Sequence, residues 1–362
     1  MKILIISDLF EIEKDKTIPS VVKDFAKGFL DFGHEVFVLR PNFLINSIIR
    51  KHKIIKNGEY FVQNIRIFNR NFFLPFLKED KKFLKFLNSL DFDLIISHLP
   101  SGHLYKDLIN KTLKKPTVSI VHQSDYRVLA DFKYCFFKKR LKKALLNSNL
   151  IGARNVFLKN YFKADFLLPS YIEKEFVLEK KKKPFEKKLK ILTLSKLIKR
   201  KNIDLIIKAL KKVDFDFQFD IFGEGREKNN LQNLIKKYDL NNKIKIYPYI
   251  EHKKIYDLLD DYDIFALVSK DETFGLSYLE ALSRGLIVIG TKGTGIDGVV
   301  EDNKNGFLIN PIEKDLESVL NKIFNLNKEE KEKLSENSIS SIKEKYTKEK
   351  VMEEYLKKIA RF

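Results

Sequence analysis

The chain has 362 residues, 44% of them hydrophobic and 33% charged, with 69 Lys+Arg against 49 Asp+Glu. That apolar content can bury substantial cores, the absence of a low-complexity tract excludes a disordered chain, and two domains are the natural expectation at this length. The single cysteine, Cys135, excludes an intrachain disulfide, the opening Met1-Lys2 and its five-residue apolar run fit no signal peptide, and no run approaches the roughly 20 apolar residues that cross a bilayer, so a cytoplasmic protein is expected.

The formal charge of +20 is unevenly placed: residues 1–188 carry an excess of 17 positive charges and residues 189–362 an excess of 3. Such a field suits an anionic partner. The basic half holds no RNA-binding or helix-turn-helix motif, so a nucleic-acid partner is not expected.

In the first half, strand-like runs at Lys2–Ile6, Glu35–Leu39, Asn64–Phe68, Leu94–Ser97, Val118–Val121, Leu150–Gly152 and Phe166–Leu168 alternate with helical patterns, notably Ser20–Phe32 before the stop Gly33-His34. This alternation marks an α/β domain with a parallel sheet. Within it Phe132–Leu146, FKYCFFKKRLKKALL, has six basic residues and no acid, with Phe132, Tyr134, Phe136 and Phe137 interleaved. It reads as an interfacial helix on an anionic membrane, or as a buried apolar stripe bordered by Lys and Arg stems.

Residues 171–188, a charge run around Pro184, break the alternation and are read as the linker between an N-terminal domain, 1–170, and a C-terminal domain, 189–327. The second domain opens with the strand KILTLS from Lys190, then the helix Ile203–Lys212, the strand Phe217–Phe222, the helix Lys228–Tyr238 and the strand Lys243–Tyr247. Residues 328–362 are polar and helical, with a break near Tyr346-Thr347, and are expected to cover the domain junction.

Residues 264–309 carry the chemistry. Two apolar runs, Ile264–Val268 and Leu286–Ile289, flank a helix at Ser277–Arg284 that Gly285 closes, giving a βαβ unit. Glu272 and the Phe274-Gly275-Leu276 turn fall at the carboxyl end of the first strand, where a helix N-terminus offers amides to an anion, and Glu280 follows on the helix.

With its frame and the following TKGTGIDGVVEDNKNGFLI tail, Glu272-Thr-Phe-Gly-Leu-Ser-Tyr-Leu-Glu280 resembles the paired-glutamate motif of the family 4 retaining glycosyltransferases, of GT-B fold. Leu194-Ser-Lys-Leu-Ile-Lys-Arg-Lys-Asn-Ile-Asp204 is similar to a second element of that family, with Lys196 where the family has arginine, Lys201 at its lysine and Asn202 at its glycine. Ile221-Phe-Gly-Glu-Gly225 is a weaker third match. The resemblance covers nearly the whole chain. It implies two Rossmann-like domains facing across a cleft, and transfer of a hexose or N-acetylhexosamine from a nucleotide diphosphate sugar, UDP-linked, to a lipid-linked or cell-surface glycan. A sugar-nucleotide epimerase on the same fold, or a catalytically silent subunit, is the alternative.

By that resemblance Glu280 accepts from ribose hydroxyls, Glu272 contacts donor-sugar hydroxyls, Lys196 and Lys201 offset charge on the leaving diphosphate, and Phe274, Gly275 and Leu276 offer amides. His122, after the strand Val118–Val121, resembles the family's catalytic-site histidine, and His98 at a similar strand end is a weaker candidate. Asp125 is read as a helix cap. Against each stands a plainer role: a surface helix glutamate for Glu280, a loop carboxylate for Glu272, a capping or core residue for His122. The chain departs from the family at Asp15–Ser20 and at Pro169-Ser170-Tyr171, where a Gly-Gly and an Asn-Gly are usual. Neither cofactor nor metal is expected: the six histidines are scattered, and Asp91-Phe-Asp93 and Asp214-Phe-Asp216 precede strands.

Overall fold

The computed structural model describes residues 1–8, 21–43, 54–57, 60–67, 81–131, 135–181, 183, 185 and 187–362. They form two compact units, one of residues 1–154, 158–168 and 352–362, the other of 155–157 and 169–351.

The first unit is built on eight strands: β1 (Lys2–Ile6), β2 (Glu35–Phe43), β3 (Ile54–Asn57), β4 (Tyr60–Ile67), β5 (Leu94–His98), β6 (Thr117–Val121), β7 (Leu150–Ala153) and β8 (Phe166–Leu167). Their order is β3-β4-β2-β1-β5-β6-β7-β8. Every pairing is parallel except β3 with β4. Ile3, Leu4, Ile5 and Ile6 are fully buried, as an unbroken apolar run in a central parallel strand requires. Leu4, Ile6 and Ile95 meet Leu84 and Leu87 of the helix Lys81–Ser89 and Ile109 and Leu113 of the helix Leu99–Leu113. The strand expected at Asn64–Phe68 begins earlier, at Tyr60, and Phe68 lies outside the described residues. β3 was not expected, because its run KHKIIKN has only two consecutive apolar residues.

The second sheet holds β9 (Leu189–Leu194), β10 (Phe217–Phe222), β11 (Ile244–Tyr247), β12 (Ile264–Ala266), β13 (Ile287–Thr291) and β14 (Gly306–Ile309), all parallel, in the order β11-β10-β9-β12-β13-β14. Side chains alternate between its faces. Ile191 and Ile264 join a core with Ile206, Ile207, Leu316 and Leu320 from the helices Ile203–Leu210 and Glu313–Asn325. Their neighbours Leu192 and Phe265 join another with Ile255, Leu259, Leu279 and Leu282 from the helices His252–Leu259 and Leu276–Ser283. The chain winds outward from β9 to β10 on one side and reaches β12 on the other, so a crevice opens at the carboxyl ends of β9 and β12.

The break expected near Tyr346-Thr347 separates the helices Lys328–Lys345 and Lys348–Ile359. Asn327 and Glu330 start the first with a reciprocal capping box, both bonds 2.9 Å. The second inserts Met352 and Tyr355 into the first unit, where Tyr355 packs 5.3 Å from Phe29 and 6.2 Å from Phe25. The charged segment 171–188 makes its contacts within the second unit: Phe176 stacks on Tyr256 at 4.0 Å, and Leu178 N–H donates to Ser283 O at 3.1 Å.

The helix Cys135–Leu146 turns Leu141 and Leu145 onto Val121, Ala153 and Leu158, leaving Lys139, Arg140, Lys142 and Lys143 outside. Its described apolar stripe is therefore core, with a cationic outer face. Phe132, Tyr134 and the side chain of Phe136 lie outside the described residues. No described helix is long and apolar enough to cross a membrane.

Candidate functional site

Of the residues singled out in the second unit, Lys201 and Glu272 are brought together, from the segments that follow β9 and β12. After β9 the chain makes a 3-10 turn at Lys199–Lys201 and enters the helix Ile203–Leu210 through Asn202, whose φ of +51° is left-handed. Asparagine is the side chain that best tolerates that conformation after glycine, which explains the substitution seen in the sequence. Its Nδ2 donates to Val268 O at 3.1 Å, tying this turn to the end of β12.

Two adjacent cations hold the loop after β12. Arg200 Nη1 donates to Asp271 O, while Lys270 N–H donates to Arg200 O at 2.9 Å. Lys201 Nζ contacts Glu272 Oε2 at 2.5 Å, with the two side chains only 12% and 10% exposed. Lys201 and Glu272, read from sequence as serving different parts of a ligand, thus form one ion pair. An ammonium has three donors, so Lys201 can hold Glu272 and an incoming phosphate together. Lys196 is exposed and forms no ion pair among the described residues.

Gly275 has φ +69°, and a Cβ there would lie 2.4 Å from the Tyr278 ring. Backbone conformation and the Tyr278 ring thus both call for glycine here. Phe274 is buried in the core of the unit and Leu276 is partly buried against it, so the Phe274 side chain is core and only its backbone is left to a ligand. Tyr278 O–H donates to Leu267 O beneath the loop, and burial holds this phenol well above its ordinary range. At Gly223, after β10, a Cβ would lie 1.9 Å from Ser195 O, so the weak glycine motif reports backbone packing beside the Lys196 strand end.

Glu280 is 3% exposed and accepts from His252 Nε2 at 2.8 Å. It is therefore no surface helix glutamate. The end of its helix is fixed by Arg284, which makes a two-pronged pair with Asp260, 2.7 Å on each arm, and donates to Phe176 O at 2.7 Å.

In the first unit His98 ends β5 and His122 follows β6. His98 Nδ1 lies 3.0 Å from His122 Nε2, so one ring donates to the other. Burial, first, then the nearby cations hold both rings well below the ordinary histidine range, so the pair is neutral near pH 7. Asp125 Oδ2 accepts from His122 N–H at 2.8 Å, the cap expected of it. Its Oδ1 lies 3.5 Å from His103 Nε2, and His103 Nδ1 is 2.7 Å from Ser97 Oγ. Asp8, just past β1, is pushed above the ordinary carboxylate range by burial. The departure at Asp15–Ser20 lies outside the described residues.

Sequence reasoning missed Arg200 and His252. Arg200 stood in the quoted run beside Lys201 and could have been weighed with it; His252 sits in no motif. Among the described residues, no group of three or more His, Cys, Asp or Glu is placed to hold a metal ion.

Residues 175–341, which contain the whole of this second-unit site, match the family described as Glycosyl transferases group 1. Through this segment the chain is similar to the group 1 glycosyltransferases. A UDP-N-acetylglucosamine–peptide N-acetylglucosaminyltransferase GtfA subunit from Limosilactobacillus reuteri is 32% identical over 133 residues, 36% of this chain and 25% of that protein. The chain thus matches about a quarter of the length of this relative. Among solved structures, sucrose-phosphate synthase from Thermosynechococcus elongatus superposes with a TM-score of 0.75 at 14% identity, covering 100% of this chain and 99% of that one. HepE of Anabaena, solved in complex with UDP, gives 0.74 at 14% identity with 100% of both chains covered. The chain therefore has the GT-B fold expected from its sequence, two α/β units each on a largely parallel sheet.

Proposed function

We propose that the chain is a retaining glycosyltransferase that moves a hexose or N-acetylhexosamine from a UDP-linked sugar to a lipid-linked or cell-surface glycan. The observation that carries this reading is Glu280: a carboxylate 3% exposed whose Oε2 has no hydrogen-bond partner among the described residues, on the βαβ segment that also carries the Lys201–Glu272 pair. A buried acceptor-only group left open at the carboxyl edge of a parallel sheet suits the hydroxyls of a ribose. Uridine as the base is supported by the UDP in the names of the GtfA subunit and of the HepE complex.

In this reading the diphosphate meets Lys196, Lys201 and the amides at the start of the helix Leu276–Ser283, and Glu272 accepts from sugar hydroxyls. As the bond from the anomeric carbon to the phosphate oxygen breaks, charge gathers on the phosphate beside Lys201, already held by Glu272, and within reach of the exposed Lys196. The acceptor oxygen bonds to the same face of that carbon, and its proton passes to the departing phosphate oxygen, so configuration is kept without a carboxylate nucleophile. His122, held neutral beside His98, is the first unit's candidate for contact with a substrate hydroxyl.

The cationic outer face of the helix Cys135–Leu146 supports a cytoplasmic protein held at an anionic membrane surface by charge and not by insertion, at about 1 kcal/mol per basic residue. Reversing Lys139, Arg140, Lys142 and Lys143 to Glu should abolish co-sedimentation with anionic vesicles at low salt; unchanged binding would refute it. For the activity, the purified protein incubated with UDP-glucose or UDP-N-acetylglucosamine should release UDP slowly even without acceptor. Interconversion of the sugar without UDP release would indicate an epimerase, and no reaction with any nucleotide sugar would indicate a silent subunit.

A further inference from the structure

The acceptor oxygen that Glu280 offers is set by a residue outside every motif. His252 is the first residue of the helix His252–Leu259, and its Nε2 lies 2.8 Å from Glu280 Oε1 across 28 residues of sequence. The two partners differ sharply in environment: the His252 side chain is 55% exposed and that of Glu280 is 4% exposed. The imidazole thus reaches from a half-exposed position to a buried carboxylate. Its plane is fixed from below, where the ring stands edge-on to Tyr256, 5.9 Å between centroids at 85°. Tyr256 in turn is stacked on Phe176 at 4.0 Å and lies under the Arg284 guanidinium at 5.8 Å, with Arg284 locked by Asp260. A rigid stack thus aims one N–H at one carboxylate oxygen.

A glutamate side chain has three rotatable bonds, and a carboxylate held at neither oxygen presents no fixed lone pair to a ligand. Seating Oε1 on Nε2–H removes the last rotation and leaves Oε2 directed away from the imidazole. We infer that His252 is a positioning residue for the donor nucleotide, acting through Glu280: it fixes the carboxylate so that Oε2 meets a ribose hydroxyl. This rests on the reading of Glu280 as the ribose acceptor. The ring must carry its proton on Nε2, so glutamine, whose amide nitrogen reaches the same distance from the backbone, can replace it, whereas asparagine is too short.

The test is a titration of the full chain with UDP, and donor turnover, for His252→Ala, His252→Gln, His252→Asn, Glu280→Ala and the double variant His252→Ala/Glu280→Ala. Loss of one orienting hydrogen bond, about 0.5–1.5 kcal/mol, predicts a roughly 2- to 13-fold weaker UDP affinity for His252→Ala, with a matching rise in KM and kcat unchanged. His252→Gln should restore affinity and His252→Asn should not. In the Glu280→Ala background His252→Ala should have no further effect, because the carboxylate it acts through is gone. A purely structural role would lower Tm and spare none of these distinctions. If Glu280→Ala binds UDP normally, the reading of Glu280 fails. If Glu280→Ala weakens binding but His252→Ala does not, the role of His252 fails alone. Should His252→Ala weaken binding equally with and without Glu280, His252 touches the nucleotide itself and the positioning inference is overturned.

Discussion

Lys201→Met is expected to lower kcat for donor turnover by about 10²–10³-fold, the range found when one pre-placed donor to a developing anion is removed. Lys201 is nearly buried, directly precedes the left-handed Asn202 and is already drawn 2.5 Å from Glu272, so its ammonium is held in place before any phosphate arrives. Breaking such a pair also leaves Glu272 without its cation. Fully buried pairs lose about 3–5 kcal/mol on removal of one partner and exposed ones less than about 1, so at a tenth exposure a measurable fall in Tm accompanies the kinetic loss. The double variant Lys201→Met/Glu272→Gln separates the two effects. It removes both charges and should recover most of the lost Tm, yet it should not recover turnover. Wild-type kcat in folded Lys201→Met would remove Lys201 from the chemistry.

Glu280→Ala is expected to weaken UDP binding about 10- to 150-fold, read by calorimetric titration, from loss of hydrogen bonds to a charged acceptor at about 1.5–3 kcal/mol. The variant should fold normally. Glu280 forms no buried pair with a permanent cation; its described partner is the half-exposed His252, and removing a desolvated carboxylate relieves a burial penalty. Glu280→Gln should fall between, since its amide keeps one acceptor oxygen but replaces the other with a donor. Unchanged affinity in Glu280→Ala would show that the ribose lies elsewhere.

Much of this was legible because buried parallel strands announce themselves as unbroken apolar runs. Lys2–Ile6 and Phe217–Phe222 were read to the residue and the strands flanking the Glu272–Glu280 segment to within two residues, whereas β3, with two apolar residues in a basic run, gave no such signal. Asn202 was legible as a departure, and its left-handed φ explains why asparagine is tolerated. Pairings across long sequence separations were not legible. His252–Glu280 are 28 residues apart, Lys201–Glu272 and Arg200–Asp271 both 71, and no local periodicity encodes which side chains the sheet brings together. His98 and His122 could be placed at equivalent strand ends, but not as partners 3.0 Å apart. The helix Cys135–Leu146 shows the limit of a pattern: a basic amphipathic stripe looks the same whether lipid or protein covers it, and here Val121, Ala153 and Leu158 do.

Where the nucleotide sits decides the roles of Glu280, Lys196 and Lys201, and a crystal structure of the protein soaked with UDP tests that directly. A ribose hydroxyl should lie about 2.5–3.0 Å from a Glu280 carboxylate oxygen, with the diphosphate against Lys196 and Lys201 at the carboxyl ends of β9 and β12. UDP bound with its ribose away from Glu280, or its phosphates away from both lysines, would contradict it.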